Sequence, residues 1–159
     1  MTQYVIKWSL PIFIMFRGRS KHTLDDKGRL AIPARFKDTL NRKEESCLVV
    51  TNYINCLRAY AKEDWRIIED KASKLSTMDN AVNTYLRYYI GGAQECELKQ
   101  GRITLPPDLR NIAGLSKEVV LIGQLTMFEI WDKDLWEVEF GSAKDDFKII
   151  SQSLKDLGI

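Results

Sequence analysis

Two short segments of the chain place an arginine directly after a glycine, and these arginines are the residues best suited to chemistry. Arg29 follows Gly28, and Arg102 follows Gly101. Asp25 precedes the first pair in the spacing Asp-x-x-Gly-Arg, from which a carboxylate can receive the arginine across a turn and fix its direction. An arginine presents a planar fork of donors that suits phosphate oxygens and guanine edges, and a β-ribbon fits in the major groove of DNA. The spacing indicates either a nucleic-acid contact or an aspartate–arginine pair that merely holds the turn.

Other kinds of chemistry lack the residues that they require. The single histidine, His22, would have to serve any nucleophilic triad, and no serine lies in a nucleophile-elbow pattern. No glycine-rich loop that cradles phosphate is present either. The three cysteines are widely separated and form no zinc-ligand pairs, so we expect them to be reduced and buried; they are Cys47, Cys56 and Cys96. We therefore expect no enzyme activity, no metal, no cofactor and no small-molecule substrate.

Charge is distributed unevenly along the 159 residues, although the formal net charge is only +2. Residues 15–42 hold eight lysines and arginines against three aspartates, a net charge of +5, whereas residues 128–146 carry −5. The basic segment suggests a polyanionic partner, and an ordinary solvated surface is the alternative. The longest apolar run, residues 10–16, is shorter than the roughly 20 residues of a membrane span. We expect a cytoplasmic protein with no membrane partner.

The chain contains two copies of one unit. Residues 27–33 align with residues 100–106, and residues 57–65 align with residues 128–136. Two separated blocks that repeat in the same order indicate a duplication, and two copies are too few for a solenoid. We therefore expect a duplicated unit that closes on itself, and its halves are called the first copy and the second copy below.

Each copy is predicted to contain paired strands and helices in the same order. The predicted strands are 20–25, 29–32, 47–51, 56–60, 119–122 and 127–131. The predicted helices are 33–40, 62–75, 78–90 and a last helix that Ser142 opens in a capping-box-like spacing. Pro33 suits the first position of its helix, Thr77 is a plausible N-cap for the third, and Gly91 ends that helix.

These elements predict a division of the chain into five segments. They are an N-terminal extension (1–14), a first unit (19–65), linking helices (66–92), a second unit (93–136) and a C-terminal helix (142–159). The extension precedes both repeats, so we expect it to be dispensable. The apolar stripes of three helices, together with Trp65 and Trp136, exceed what two small units can cover, which predicts a homo-oligomer closed into a ring.

Several motifs together resemble the MraZ family. The resemblance covers residues 15–138 in order and rests on Met15-Phe16-Arg17-Gly18, on residues 24–33, on Glu95-Cys96-Glu97-Leu98, on Gln100-Gly101-Arg102, on residues 113–124 and on residues 128–132. It implies an α+β fold, namely a duplicated AbrB-like swapped-hairpin β-barrel with flanking helices. In AbrB two chains interleave their hairpins, and a duplicated chain is expected to do so internally.

The resemblance also implies a function. The family is a bacterial transcriptional regulator of the cell-division and cell-wall gene cluster, whose members form rings and bind short repeated boxes in promoter DNA. We therefore expect a sequence-specific repressor, associated with the nucleoid, whose partners are double-stranded promoter DNA and further copies of itself. The alternative is an oligomeric scaffold that uses the same hairpin turns to bind protein instead of DNA.

The resemblance assigns DNA-contacting roles residue by residue. Arg29 stands at the family's motif arginine, and Arg102 is its counterpart in the second copy. Lys37 and Arg110 fall where AbrB-like proteins place a basic residue one turn after the Ile-Pro. The remaining candidates flank the first hairpin or support the two motifs; they are His22, Lys27, Asp25, Gly28 and Gly101.

The second motif departs from the family pattern in one respect. The family usually has an aspartate between Leu98 and Lys99, and this chain lacks it. Because the second motif is one residue short, its turn is expected to differ from the first.

Overall fold

The computed structural model describes residues 15–159, so the predicted extension over residues 1–14 lies outside the described residues. The strands are β1 (Arg19–Thr23), β2 (Arg29–Ala31), β3 (Cys47–Asn52), β4 (Leu57–Ala61), β5 (Gln94–Glu97), β6 (Arg102–Thr104), β7 (Glu118–Gly123) and β8 (Met127–Asp132). The α-helices are α1 (Ala34–Arg42), α2 (Lys62–Ser73), α3 (Asn80–Tyr85), α4 (Pro107–Ile112) and α5 (Lys133–Ser153). The repeated order β-β-α-β-β-α, which both copies share, follows from the duplication seen in the sequence.

Strands of the two copies interleave in one antiparallel sheet. Its order is β1-β7-β8-β4-β3-β5, and β2 and β6 form a separate two-stranded ribbon. Four pairings join the copies: β1 with β7, β4 with β8, β3 with β5, and β2 with β6. The pairings among residues 15–159 do not close a barrel, and the fold is a mixed α+β architecture of an antiparallel sheet with helices.

The first turn is where the sequence predicts it, but the strands beside it pair elsewhere. β1 ends at Thr23 and lies against β7, with Arg19 opposite Ile122, while β2 lies against β6. The backbone N–H of Leu24 donates to the carbonyl of Lys117 at 2.8 Å, which extends the contact with the second copy. The strands that flank the first turn therefore bridge the copies.

Apolar residues from both copies share one core. Leu30 and Ile103 point inward from the ribbon and meet the buried face of the sheet. Phe16, Phe36 and Phe128 form an aromatic cluster there, with ring centroids 4.8–5.3 Å apart. Because neither copy can bury this surface alone, the hydrophobic effect stabilises the two together.

Two helices differ from their predicted bounds. The helix predicted over 78–90 is α3 followed by a π-helical turn over Leu86–Ile90, and Asp79, not Thr77, caps it by accepting from the Ala81 N–H at 2.8 Å. The final helix begins nine residues before Ser142, because the Asp132 carboxylate accepts from the Asp134 N–H and caps it there. An N-cap residue has an extended backbone, and Asp132 has one because it is the last residue of β8.

α5 leaves most of its apolar side chains exposed. It contains no buried residue in this structure, and its exposed apolar residues are Leu135, Val138, Phe140, Phe147, Ile149 and Ile150. Among the helices described, none combines the length and the apolar character that crossing a bilayer requires.

Candidate nucleic-acid interface

The β2–β6 ribbon has one buried face and one exposed face. Leu30 pairs with Ile103 at its centre, and both side chains are buried. Arg29 lies opposite Thr104, and Ala31 lies opposite Arg102. Because side chains alternate along a strand, these four residues share the outer face, with the two arginines on one diagonal. The ribbon therefore presents both motif arginines together.

Asp25 organises the first turn and its arginine. Its Oδ1 accepts the backbone N–H groups of Lys27 and Arg29, each at 2.9 Å, and its Oδ2 accepts Arg29 Nε at 2.5 Å. Gly28 closes the turn at φ +77°, a conformation that a residue without a Cβ adopts freely. These hydrogen bonds hold the pKa of the Asp25 carboxyl below its usual value. The bond from the Arg29 backbone N–H has the largest effect, and the bonds from the Arg29 side chain and the Lys27 backbone N–H add to it. The predicted pair exists, and it fixes both the turn and the arginine.

The second turn has another geometry. Gln100 and Gly101 both have positive φ, 53° and 74°, and the Lys99 and Arg102 backbones exchange hydrogen bonds at 2.8 and 3.0 Å. This is a two-residue hairpin turn of the I′ type, whose twist matches that of its strands. The missing aspartate thus yields a shorter turn without a carboxylate of its own, as the sequence predicts.

Basic residues from each copy reach the turn of the other. A Cβ placed on Gly28 would lie 2.7 Å from Arg110 Cζ, and one placed on Gly101 would lie 3.1 Å from Lys37 Nζ. Arg110 Nε also donates to the Leu105 carbonyl at 3.1 Å. Each glycine therefore leaves room for a basic side chain beside the turn, and its positive φ is the conformation that disfavours any other residue there. Because each basic side chain reaches the turn of the other copy, Lys37 and Arg110 lie at the ribbon beside the motif arginines.

Backbone hydrogen bonds also connect each turn to the other copy. The Leu105 N–H donates to the Gly28 carbonyl, and the Ile32 N–H donates to the Gly101 carbonyl, each at 2.9 Å. Each turn is thus tied to the strand end that leads into the other copy's helix. The ribbon is consequently one unit built by both copies.

His22 stands apart from this group. It lies on β1, half-buried, with its ring Nε2 2.7 Å from Ser20 Oγ. Burial lowers the pKa of His22 from its usual value, which disfavours the charged form of the ring. Lys27, by contrast, is exposed within the first turn.

Three further arginines of the basic segment over residues 15–42 were given no DNA-contacting role from the sequence. Arg17, Arg35 and Arg42 line a cavity of about 320 Å³ together with Asp38. Arg35 Nη1 donates to the Arg17 carbonyl at 3.3 Å. They contribute to the net charge of +5 over residues 15–42, the sequence feature that suggested a polyanionic partner.

The cysteines show no sign of a metal centre or of reactivity. Residues 15–159 include no cluster of three or more histidine, cysteine or acidic residues placed to hold an ion. Cys56 and Cys96 are buried and Cys47 is half-buried, and all three are free thiols. Burial raises the pKa of Cys96 to about 11 and also raises those of the other two, so the thiols stay protonated.

Comparison with known proteins decides the family. Residues 15–88 and 89–155 each match the family described as "MraZ protein, putative antitoxin-like". The chain belongs to the MraZ family. The two MraZ matches coincide with the two copies seen in the sequence and together cover nearly all the described residues.

Curated MraZ relatives are similar over most of their length. A "Transcriptional regulator MraZ" from Syntrophobacter fumaroxidans is 42% identical over 145 residues, covering 91% of this chain and 97% of the relative. Proteins of the same name from Caldicellulosiruptor saccharolyticus and Serratia proteamaculans are 37% and 40% identical, covering 91% of this chain and all of each relative. The family is therefore one of transcriptional regulators and not of enzymes.

Proposed function

We propose that the chain is a sequence-specific DNA-binding repressor that acts through the outer face of the β2–β6 ribbon. The observation that carries the proposal is the Asp25–Arg29 pair, because a carboxylate that already holds Nε at 2.5 Å orders the guanidinium before DNA arrives. The terminal nitrogens of such a fork suit the O6 and N7 acceptors of guanine. A ribbon of two strands is narrow enough for the major groove.

The charges around the ribbon support contact with the DNA backbone. Lys37, Arg110 and Lys27 accompany the motif arginines along the two turns, and Asp25 and Asp26 are the acidic residues of the first turn. Cations that neutralise phosphates release condensed counterions, which gives affinity independent of sequence. His22, half-buried on β1 with Ser20 as its hydrogen-bond partner, takes no part in this proposal.

The target follows from the family resemblance. The proposed partner is promoter DNA with repeated boxes upstream of the cell-division and cell-wall genes, bound by a protein that associates with the nucleoid in the cytoplasm. The interleaved pairing of the copies supports the AbrB-like swapped-hairpin arrangement, and the division into units 19–65 and 93–136 joined by residues 66–92 is proposed with it.

A closed ring of identical chains is proposed as the binding form. α5 exposes Phe147 at 67% and Ile149 at 71% of their surfaces, an apolar area that a neighbouring copy would bury. α5 also exposes five acidic residues (Asp134, Glu137, Glu139, Asp145 and Asp146), whose charge is opposite to that of the basic segment over residues 15–42 and favours head-to-tail contact between neighbours. Such contacts form a ring when the rotation between copies closes.

The test is binding to DNA taken from upstream of the protein's own gene. We expect footprints at repeated boxes, with an affinity that falls steeply between about 50 and 200 mM salt. A random duplex of equal length is the control, and it should bind far more weakly. Failure to protect any upstream sequence, together with capture of a protein partner by the same turns, would favour the scaffold function instead.

A further inference from the structure

The two motif arginines have equal exposure and unequal support. The side chains of Arg29 and Arg102 are each 38% exposed, so burial does not distinguish them. Arg29 is held by Asp25 through its side-chain Nε and through its own backbone N–H. Arg102 Nη1 lies 4.0 Å from the same Asp25 Oδ2, beyond hydrogen-bond distance. One arginine is therefore oriented by a hydrogen-bonded carboxylate, and the other is only attracted to it.

The missing residue explains this difference. Leu24 and Leu98 occupy equivalent places, because their N–H groups donate to the carbonyls of Lys117 and Ser46 at the corresponding points of the two copies. Asp25 follows Leu24, whereas Lys99 follows Leu98 directly. The carboxylate that would orient Arg102 is thus deleted from the chain, and the I′ turn closes the gap.

The sequence around the first turn is also more positively charged than the sequence around the second. Residues 88–115, which match the basic segment of the first copy, hold three lysines and arginines against three acids and are neutral. Arg35, in the arginine-lined cavity, aligns with Asp108, whose carboxylate accepts Gln94 Nε2 at 3.0 Å. The positive charge that would hold a DNA backbone is concentrated on the first copy.

We infer that the ribbon reads DNA unequally: Arg29 recognises a guanine, and Arg102 contacts phosphate without base specificity. This inference rests on the proposed DNA-binding function. An arginine fixed before binding loses little side-chain freedom when it forms two hydrogen bonds to one base, so it discriminates between bases. An unfixed arginine retains its attraction to any phosphate. Each chain therefore recognises an asymmetric box despite the near-symmetry of its ribbon.

The experiment selects bound sequences from randomised duplexes with the full chain and with variants. Arg29→Lys keeps the charge and loses the planar fork, so its selected box should lose one guanine position, with about 5- to 150-fold weaker binding to the wild-type box. Its salt dependence should stay unchanged. Arg102→Lys should select the wild-type box, because a phosphate contact tolerates either cation.

A third variant tests the cause of the asymmetry. An aspartate inserted between Leu98 and Lys99 restores the length of the second motif, and we expect its selected box to gain a second guanine position. Arg102→Ala in the unmodified chain should weaken matched and unrelated duplexes by the same factor and reduce the salt slope by about one. Circular dichroism and melting curves identify any variant that fails to fold.

The outcomes separate this inference from the proposed function. If the wild-type chain selects no sequence, DNA recognition itself is wrong. If it selects a box and Arg102→Lys loses a base position as Arg29→Lys does, the function stands and the asymmetry is wrong. Selection of a palindromic box by the wild-type chain would likewise overturn the inference.

Discussion

Replacing Arg29 by alanine should abolish promoter binding and leave the protein folded. Asp25 keeps its hydrogen bonds to the Lys27 and Arg29 backbone N–H groups in this variant, so the turn retains its geometry. The lost ion pair joins side chains that are 38% and 36% exposed, and pairs of that kind contribute little to stability. We expect the melting temperature to change by less than about 4 °C.

Arg29→Ala should affect DNA affinity more than stability, for two reasons. A bidentate arginine–guanine contact discriminates by about 1–3 kcal/mol, or roughly 5- to 150-fold per site. A ring presents several copies of the ribbon to repeated boxes, and losses at linked sites multiply. Fluorescence anisotropy on a single-box duplex measures the first factor, and the full promoter measures the product.

A matched control removes the same charge from another place. Arg66 is exposed on α2, so Arg66→Ala changes the net charge equally and should bind the promoter as the wild type does. Asp25→Ala removes three acceptor contacts at once and should lower both stability and affinity. Full promoter affinity in Arg29→Ala would refute the proposed site, and a loss of stability equal to that of Asp25→Ala would assign Arg29 a structural role.

Four further predictions concern other residues of the structure. His22→Gln should leave affinity for DNA unchanged, and because burial lowers the pKa of His22 below 6.5, the wild-type protein should lose stability as the pH falls below 6.5 while this variant loses less; chemical denaturation across pH measures both. Phe147→Asp should dissociate the proposed ring without unfolding the chain, since Phe147 is 67% exposed, and light scattering that still reports the wild-type oligomer would count against α5 as the interface. Gly28→Ala should lower stability by about 1–2 kcal/mol and weaken DNA binding, because φ is +77° and the new Cβ would displace Arg110. Gly141→Ala, in the open middle of α5 where a Cβ has no neighbour within 4 Å, should instead raise stability by about 0.5–1 kcal/mol in the same melting assay.

Local features of this chain were predictable because their causes are local. The hairpin of β3 and β4 and the helix α2 match the β-rich runs and the three-to-four spacing that predict them. The Asp25 contact with Arg29 and the altered second turn were also predictable, since each depends on a spacing of a few residues. Each of these patterns involves residues that are close together in the sequence.

The features that the sequence did not predict depend on residues far apart in the chain. The residues of β1 do not by themselves predict its partner, because its alternating side chains fit any strand that offers an apolar face; only the resemblance to AbrB led us to expect pairing between the copies. The start of α5 was misplaced, because Ser142 and Asp132 both carry capping side chains and only the fold of β8 selects between them. For the same reason the crossing of Lys37 and Arg110 onto the opposite turns leaves no trace in the spacing of either copy.

The interleaving of the two copies has a consequence for synthesis of the chain. Arg19 pairs with Ile122, so β1 emerges from the ribosome about 100 residues before its partner exists. At about 5–20 residues per second this strand waits unpaired for several seconds, and an unpaired strand edge is a template for aggregation. Arg19 and Lys21 point outward from β1, and charges on an edge strand discourage pairing with another chain. We therefore expect Arg19 and Lys21 to disfavour pairing of β1 with another chain during the interval in which the sheet cannot yet form.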